Sequence, residues 1–200
     1  TTPAGALHGL GFQVGGSYGN EEASLPSFRT SVGQTWFAYD RATAANGPRS
    51  RVTPSVFYYR EGFGGFVEYM RSTQTLTRAG TRTNVANQAW DATASLTLTG
   101  EPASDRGLHP KSSLDPLAGS WGAWQFVARY ASLTIDRVVF DRGFADPGAS
   151  GRARQSTLGI NWYPAAVVKY YANYERTTFG GGPGVRPAED VIIFRAQLAF

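Results

Sequence analysis

Three cations stand inside segments whose residues alternate between apolar and polar: Arg129 in "GAWQFVARYASLTI", Lys169 in "VVKYYANYERT" and Arg195 in "VIIFRAQLAF". Side chains on a β-strand alternate between its two faces. Each cation therefore shares a face with residues such as Gln125, Asn173 and Gln197, and lies opposite Trp124, Tyr170 or Phe194. Fixed cations spaced along a polar wall concentrate anions, and the planar guanidinium fork of Arg matches phosphate oxygens. The competing role is pairing with Asp91, Glu68 or Glu175, which would stiffen the wall instead. Arg29, in the irregular "LPSFRT", is either part of a constriction or an ordinary loop arginine. Arg51, with Arg49, Arg41 and Arg60, would gather anions at one mouth, bind anionic lipopolysaccharide, or simply be solvated.

Other chemistries lack their parts. The two histidines, His8 and His109, fall in Gly/Pro-rich connections and in no register with a Ser and a carboxylate, so no catalytic residues are expected. "GGGPG" at 180–184 has neither the GK[ST] of a phosphate-binding loop nor a following helix, and reads as a flexible loop. There is no Cys, hence no disulfide framework and no thiolate metal site, and no other metal-ligand spacing is present. No cofactor is expected.

The elements that must carry these cations are strands. Alternation recurs at 9–19, 49–60, 64–72, 87–99, 122–135, 156–163, 167–177 and the terminal segment, with "QTWFAYD" (34–40) a further short candidate. The clearest case sets Trp90, Ala92, Ala94, Leu96 and Leu98 against Asp91, Thr93, Ser95 and Thr97. At the end of the chain, Ile192, Phe194, Ala196, Leu198 and Phe200 make a face without charge. The count is roughly eight or nine strands of about ten residues, the length that crosses a bilayer at a tilt. Connections are short at "GFG" and "PAA". They are long at "TRAGTRTNV", "DRVVFDRGFADPGASGRAR" and "FGGGPGVRPAED". Short turns at one end and long loops at the other fit an outer-membrane barrel, with the short turns periplasmic. The 100–120 connection is long yet falls on the short-turn side. Trp and Tyr near strand ends fit interfacial girdles. A soluble β-sandwich with an aromatic core is the competing architecture. Arg71 has the wrong parity if Glu68 faces a lumen, unless a bulge intervenes or Arg71 reaches the headgroups. The facing of 34–40 and 64–72 stays open.

Composition agrees with an all-β, antiparallel class. Hydrophobic residues make up 42% of the 200 and mean hydropathy is -0.29. No run approaches the ~18–20 apolar residues of a membrane helix. The net charge of +4 is carried mostly by dispersed Arg, which argues against a nucleic-acid patch. The opening "TTPAGALHG" shows no signal peptide, so either one has been removed or the chain begins partway through a larger protein.

"GLGFQVGGSYG", "LPSFRT", "GFGGFVEYMRSTQ", "AWDATASLTLTGE", "GAWQFVARYASL", "LGINWYP" and "FRAQLAF" together resemble, in order, the C-terminal half of the phosphate-selective porin O and P family. The resemblance implies an outer-membrane barrel of about sixteen strands, usually trimeric, passing anions through an Arg/Lys-lined lumen. On that basis residues 1–200 form a single barrel region, about half of such a porin, with 100–120 as a periplasmic-side connection. The expected function is passive, anion-favouring diffusion of phosphate-like solutes across the bacterial outer membrane. The expected partners are inorganic anions, outer-membrane lipid and lipopolysaccharide, and further copies of the chain. The alternative is a structural barrel whose loops bind a partner without selective conduction.

Overall fold

The structure is a computed structural model that describes Gly5 and residues 7–199; Phe200, the last residue of the charge-free terminal face, lies outside the described residues. In chain order the elements are β1 (Leu10–Ser24), β2 (Phe28–Arg29), β3 (Thr35–Phe37), β4 (Ala44–Arg60), β5 (Phe63–Arg78), β6 (Thr81–Thr97), β7 (Ala123–Thr134), α1 (Val138–Asp141), β8 (Arg152–Ala165), β9 (Val168–Gly180) and β10 (Glu189–Leu198). Eight of them form one antiparallel sheet in the order β1-β4-β5-β6-β7-β8-β9-β10. β2 and β3 pair only with each other. β1 and β10 are the two edges of the large sheet.

Cross-strand register keeps the two faces separate over the whole width. One row runs Phe63, Leu96, Phe126, Ile160, Ala172, Phe194, each directly paired with the next. Rows of like parity repeat this apolar character. They are uncovered: Phe12 is 72% exposed and Phe194 78%. Buried side chains are instead concentrated on the opposite, polar face. A soluble sandwich would hide the oily face and wet the polar one. An apolar sheet face this wide and this bare is a lipid surface, and the polar face is the inside of a barrel wall.

Aromatic residues rim the oily face at two levels. Towards one end stand Tyr58, Phe63, Trp124, Trp162 and Tyr170, with Trp162 stacked between Trp124 and Tyr170 at 5.5 Å on each side. Towards the other stand Tyr69, Trp90, Tyr130 and Tyr174, with Tyr69 and Trp90 rings 4.7 Å apart. From Phe63 to Tyr69, or Trp124 to Tyr130, is about 20 Å along the strand, comparable with the ~25 Å apolar band of outer-membrane barrels.

The strands run past these rims, to 17 residues in β4 and β6. That overturns one expectation. "TRAGTRTNV" is not a long loop. β5 and β6 stay paired out to Arg78↔Thr81, and only Ala79 and Gly80 turn, both with positive φ (47° and 80°). Two consecutive positive φ values are the requirement of the tight hairpin turn that matches strand twist, and Gly80 meets it without strain. The long segments at this end are 25–43, 135–151 and 181–188. At the other end the connections are Glu61–Gly62, Ala166–Val167 and the long 98–122.

Candidate ion pathway

Segment 25–43 does not project from the end of the sheet. It folds onto the polar face, and "QTWFAYD" belongs to it: β3 is not a wall strand, and Trp36 and Phe37 are buried. They pack with Leu76 and Val85 of the wall and with Ile135, Val139, Phe144 and Ala149 of segment 135–151. Backbone bonds join the two segments: Asp40 N–H to Phe144 O (2.8 Å), Asp146 N–H to Ala38 O (3.0 Å) and Ser150 N–H to Trp36 O (2.9 Å). Polar latches reach the far wall. Ser31 Oγ donates to Glu175 (2.5 Å), Thr30 Oγ1 donates to Glu189 (3.1 Å), and Gln155 also donates to Glu175 (3.0 Å). Buried rings hold one side of the segment and hydroxyl–carboxylate bonds hold the other, so it spans the polar face.

A cavity of about 350 Å³ lies under this bridge. Arg29 enters it from β2, held by Phe28 against the rings of Trp36 and Phe37 at 6.0 and 5.7 Å. Arg129, Asp91 and Glu68 line it from the wall. Arg129 donates through Nε (2.7 Å) and Nη2 to Asp91 Oδ2. The pairing weighed from sequence is thus made, and it places Arg29 opposite a neutralised pair. Lys169 and Arg195 do not join this group. They lie on the polar face at the opposite end, on adjacent strands. Lys169 Nζ sits 5.3 Å from the Tyr163 ring and 5.6 Å from the Tyr171 ring, and Arg195 donates to Tyr171 Oη at 3.4 Å.

The mouth cluster does not exist as expected. Arg49 donates to Glu21 at 2.6 Å, Arg51 shares its face, but Arg60 lies at the other end of β4 beside Glu61. Seventeen residues of extended chain separate the ends of that strand, which the closeness of the arginines in sequence concealed. The facing of 64–72 is also resolved: Glu68 and Met70 are on the polar face and Tyr69 and Arg71 on the apolar side. No bulge interrupts β5–β6. Arg71 keeps its outward parity because it stands beyond the Tyr69–Trp90 rim, where headgroups and water replace hydrocarbon.

Connection 98–122 folds back rather than extending away. Leu108 packs on Ala123 and Tyr163, and Leu114 N–H bonds Pro164 O at 2.7 Å. Arg106 and His109 thereby line, with Lys169 and Gln197, a cavity of about 420 Å³ at this end. Glu101 holds the base of the fold-back. Burial pushes its carboxyl up, but the Thr99 hydroxyl and the Lys111 backbone N–H both donate to it and bring it below the usual carboxylate range. A depressed native pKa gives stability that is present above the ordinary carboxylate value and lost as pH falls through the native one. Amides of 100–114 are therefore expected to lose hydrogen-exchange protection below about pH 4. In Glu101→Gln they should be less protected at pH 7 and show no further loss on acidification. Equal protection in both proteins at pH 7 would contradict the role given to Glu101.

Segment latches and the Glu21 site, where Arg49 and Gln74 converge, went unread in the sequence. The Glu21 site is signalled only by cross-strand register, with Glu21 and Arg49 28 residues apart, and the Ser31 and Thr30 latches, with partners 144 and 159 residues away, by nothing local.

An antiparallel sheet with a bare apolar face, two aromatic rims and a polar face bridged by an inward segment defines the porin class of transmembrane β-barrels. Residues 38–200 match the phosphate-selective porin O and P family, and the chain belongs to that family. No curated protein matches it in sequence.

Proposed function

We propose that this porin is an outer-membrane diffusion channel favouring anions of the phosphate class, with Arg29, Arg129, Lys169 and Arg195 along the path and Arg51 near its loop-end mouth. The observation that carries this reading is which charges stand open on the polar face. Glu21 and Asp91 are neutralised by Arg49 and Arg129, while Glu175 and Glu189 keep their charge but are covered by donors, Glu175 by Ser31 and Gln155 and Glu189 by Thr30. Among the described residues Glu68, and Asp105 on the 98–122 connection, meet no cation, and against them Arg29, Arg51, Lys169 and Arg195 meet no carboxylate. Cations of this kind at several weak stations admit anions and let them leave again. The edges β1 and β10 cannot meet lipid unpaired, so the barrel closes through further strands. A trimer of closed barrels follows the resemblance already drawn.

The test is the reversal potential of the complete protein in a planar bilayer under a tenfold KCl gradient, with current carried mainly by chloride as the expected sign. The ion pair supplies a sharper check. Arg129→Gln unmasks Asp91 and moves the potential towards cation selectivity. Asp91→Asn frees Arg129 and moves it the other way. Each shift is on the order of 10 mV, within the ~59 mV limit of a perfectly selective pore. Shifts of the same sign would sink the assignment of this pair to the path. The second reading, a plugged scaffold, draws on the packed segment 25–43, and a bilayer that stays silent with folded protein inserted would favour it.

A further inference from the structure

Beyond the rim of Tyr69, Trp90, Tyr130 and Tyr174, the outward side of the sheet becomes basic. Arg71, Gln88, Thr134 and Arg152 form one continuous cross-strand row, each paired with the next. Arg154 lies in the row beneath, level with Trp90 and Ser132, and Arg176 stands two residues past Tyr174. All four arginines are exposed. The outward parity of β5 to β9 contains no Asp or Glu at all. The outward acid of the neighbouring strand β10, Asp190, is taken by Arg176 (3.3 Å) and by the Tyr174 hydroxyl (2.6 Å), and Asp136, just past Thr134, accepts from the Ala86 and Val138 backbone N–H groups. Arg71, Arg152 and Arg154 have no carboxylate among the described residues. Among the described residues they make one side-chain bond, Arg152 Nε to Thr134 Oγ1 at 3.2 Å, which fixes a guanidinium in the row.

Solvation alone gives no reason for this one-signed belt. Exposed arginines on the loops follow the ordinary pattern of mixed charge, as Arg137 does with Asp141. The belt instead sits where a lipid's charged head must sit, directly above the aromatic level that marks the end of the hydrocarbon. Its three free forks spread over four strands, about 14 Å, which suits more than one phosphate on a single wide head. In a porin the end with the inward and long segments faces outward, so the leaflet at this level is the outer one.

We propose that Arg71, Arg152 and Arg154, flanked by Arg176, form a binding site for the phosphate groups of lipopolysaccharide in the outer leaflet. The site is on the opposite face of the wall from the ion path. It rests on the reading of the chain as an outer-membrane barrel. Arginine forks engage phosphate oxygens bidentately, and Gln88 and Thr134 add neutral polar contacts between them. An arginine near an anionic lipid surface contributes about fivefold in affinity, so removing three should cost about a hundredfold.

The complete protein, purified in neutral detergent, would be titrated with diphosphorylated lipid A and with the same lipid stripped of phosphate, and the bound lipid counted by native mass spectrometry. The comparison is between wild type, R71Q/R152Q/R154Q, and R137Q/R142Q/R186Q, which removes the same charge from the loops. The expected result is tight capture of phosphorylated lipid by wild type and by the loop variant, a loss of about a hundredfold in the belt variant, and weak capture of the stripped lipid by all three. Equal losses in the two variants would show only a net-charge effect and overturn the proposal. So would unchanged capture in the belt variant. Bilayer insertion and conductance are measured in parallel. A protein that inserts and conducts but ignores the phosphates refutes this site alone, while one that never inserts refutes the barrel reading with it.

Discussion

Phe37→Ala is expected to release segment 25–43 from the polar face while the sheet survives. Phe37 is fully buried, and its ring meets Tyr39 at 4.8 Å, Phe28 at 5.7 Å, and Trp36 and Phe140 at 6.1 Å. Removing such a ring costs about 3–5 kcal/mol. The wall is held by its own ladders of hydrogen bonds, and few of them depend on this cluster. The cost therefore falls on docking of the segment, whose opening free energy lies below that of the barrel. Trypsin should then cut after Arg29, which the β2–β3 pairing holds in extended, docked backbone in wild type, while the β-sheet circular dichroism and the heat-resistant migration of the barrel persist. Single-channel conductance should rise, because the bridge and Arg29 leave the path together. Anion preference should fall for the same reason. Cleavage without any change in conductance would mean that the segment does not narrow the path. Collapse of the whole sheet would mean that the aromatic cluster is a core of the barrel itself.

How the residues declared themselves follows from what surrounds each stretch. Where a strand has lipid on one side and the polar interior on the other, the demand on each face is constant and alternation is clean. That is why 87–99, 122–135 and the terminal strand gave their facing directly, and why Arg129, Lys169 and Arg195 could each be given a face from the alternation around them. Past the aromatic rims both faces meet polar surroundings, and the period disappears. The stretch around Ala79–Gly80 looked like a loop for that reason, although β5 and β6 are paired throughout it. Arg71 looked misplaced for the same reason. The inward segment was hidden differently. "TWF" has the composition of a strand, and β3 is one, but its burial comes from Val139 and Phe144 about a hundred residues later. No local period encodes a contact of that separation. The Arg129–Asp91 pair lay between these cases: both residues had readable facing, and only the β6–β7 register brought them together.

Adjacent substitutions on β7 are expected to separate the two faces most sharply. Ala128 lies on the oily side in a row between Ala94 and Leu158, near the middle of the apolar band. Val127 follows the opposite parity, beside Ser95 and Gly159 on the polar face. An arginine on the lipid face near the bilayer midplane costs about 2–4 kcal/mol, because no hydrogen-bond partner replaces its water. The small neighbours of Ala128 offer the long side chain no acid, and either aromatic rim is several residues away along a tilted strand. Ala128→Arg should therefore lower the folding equilibrium constant in lipid vesicles about thirtyfold or more. Val127→Arg puts the same charge one residue away into an interior that already holds Arg129 and is wet. It should fold nearly as wild type and increase anion preference. A sandwich whose oily face is its core would show the same ranking, with Ala128→Arg abolishing folding, so wild type and both variants are also tested in water without lipid or detergent, where a sandwich folds and a membrane wall does not. The measured pair is the folding free energy of each variant in vesicles by urea titration. Wild type that folds only with lipid or detergent, with a penalty of about 2–4 kcal/mol at Ala128 and a small one at Val127, places lipid on the apolar face. Wild type that folds in water without lipid would return that face to a protein core, and equal penalties would show that both faces meet the same surroundings; either removes the physical basis for a membrane wall.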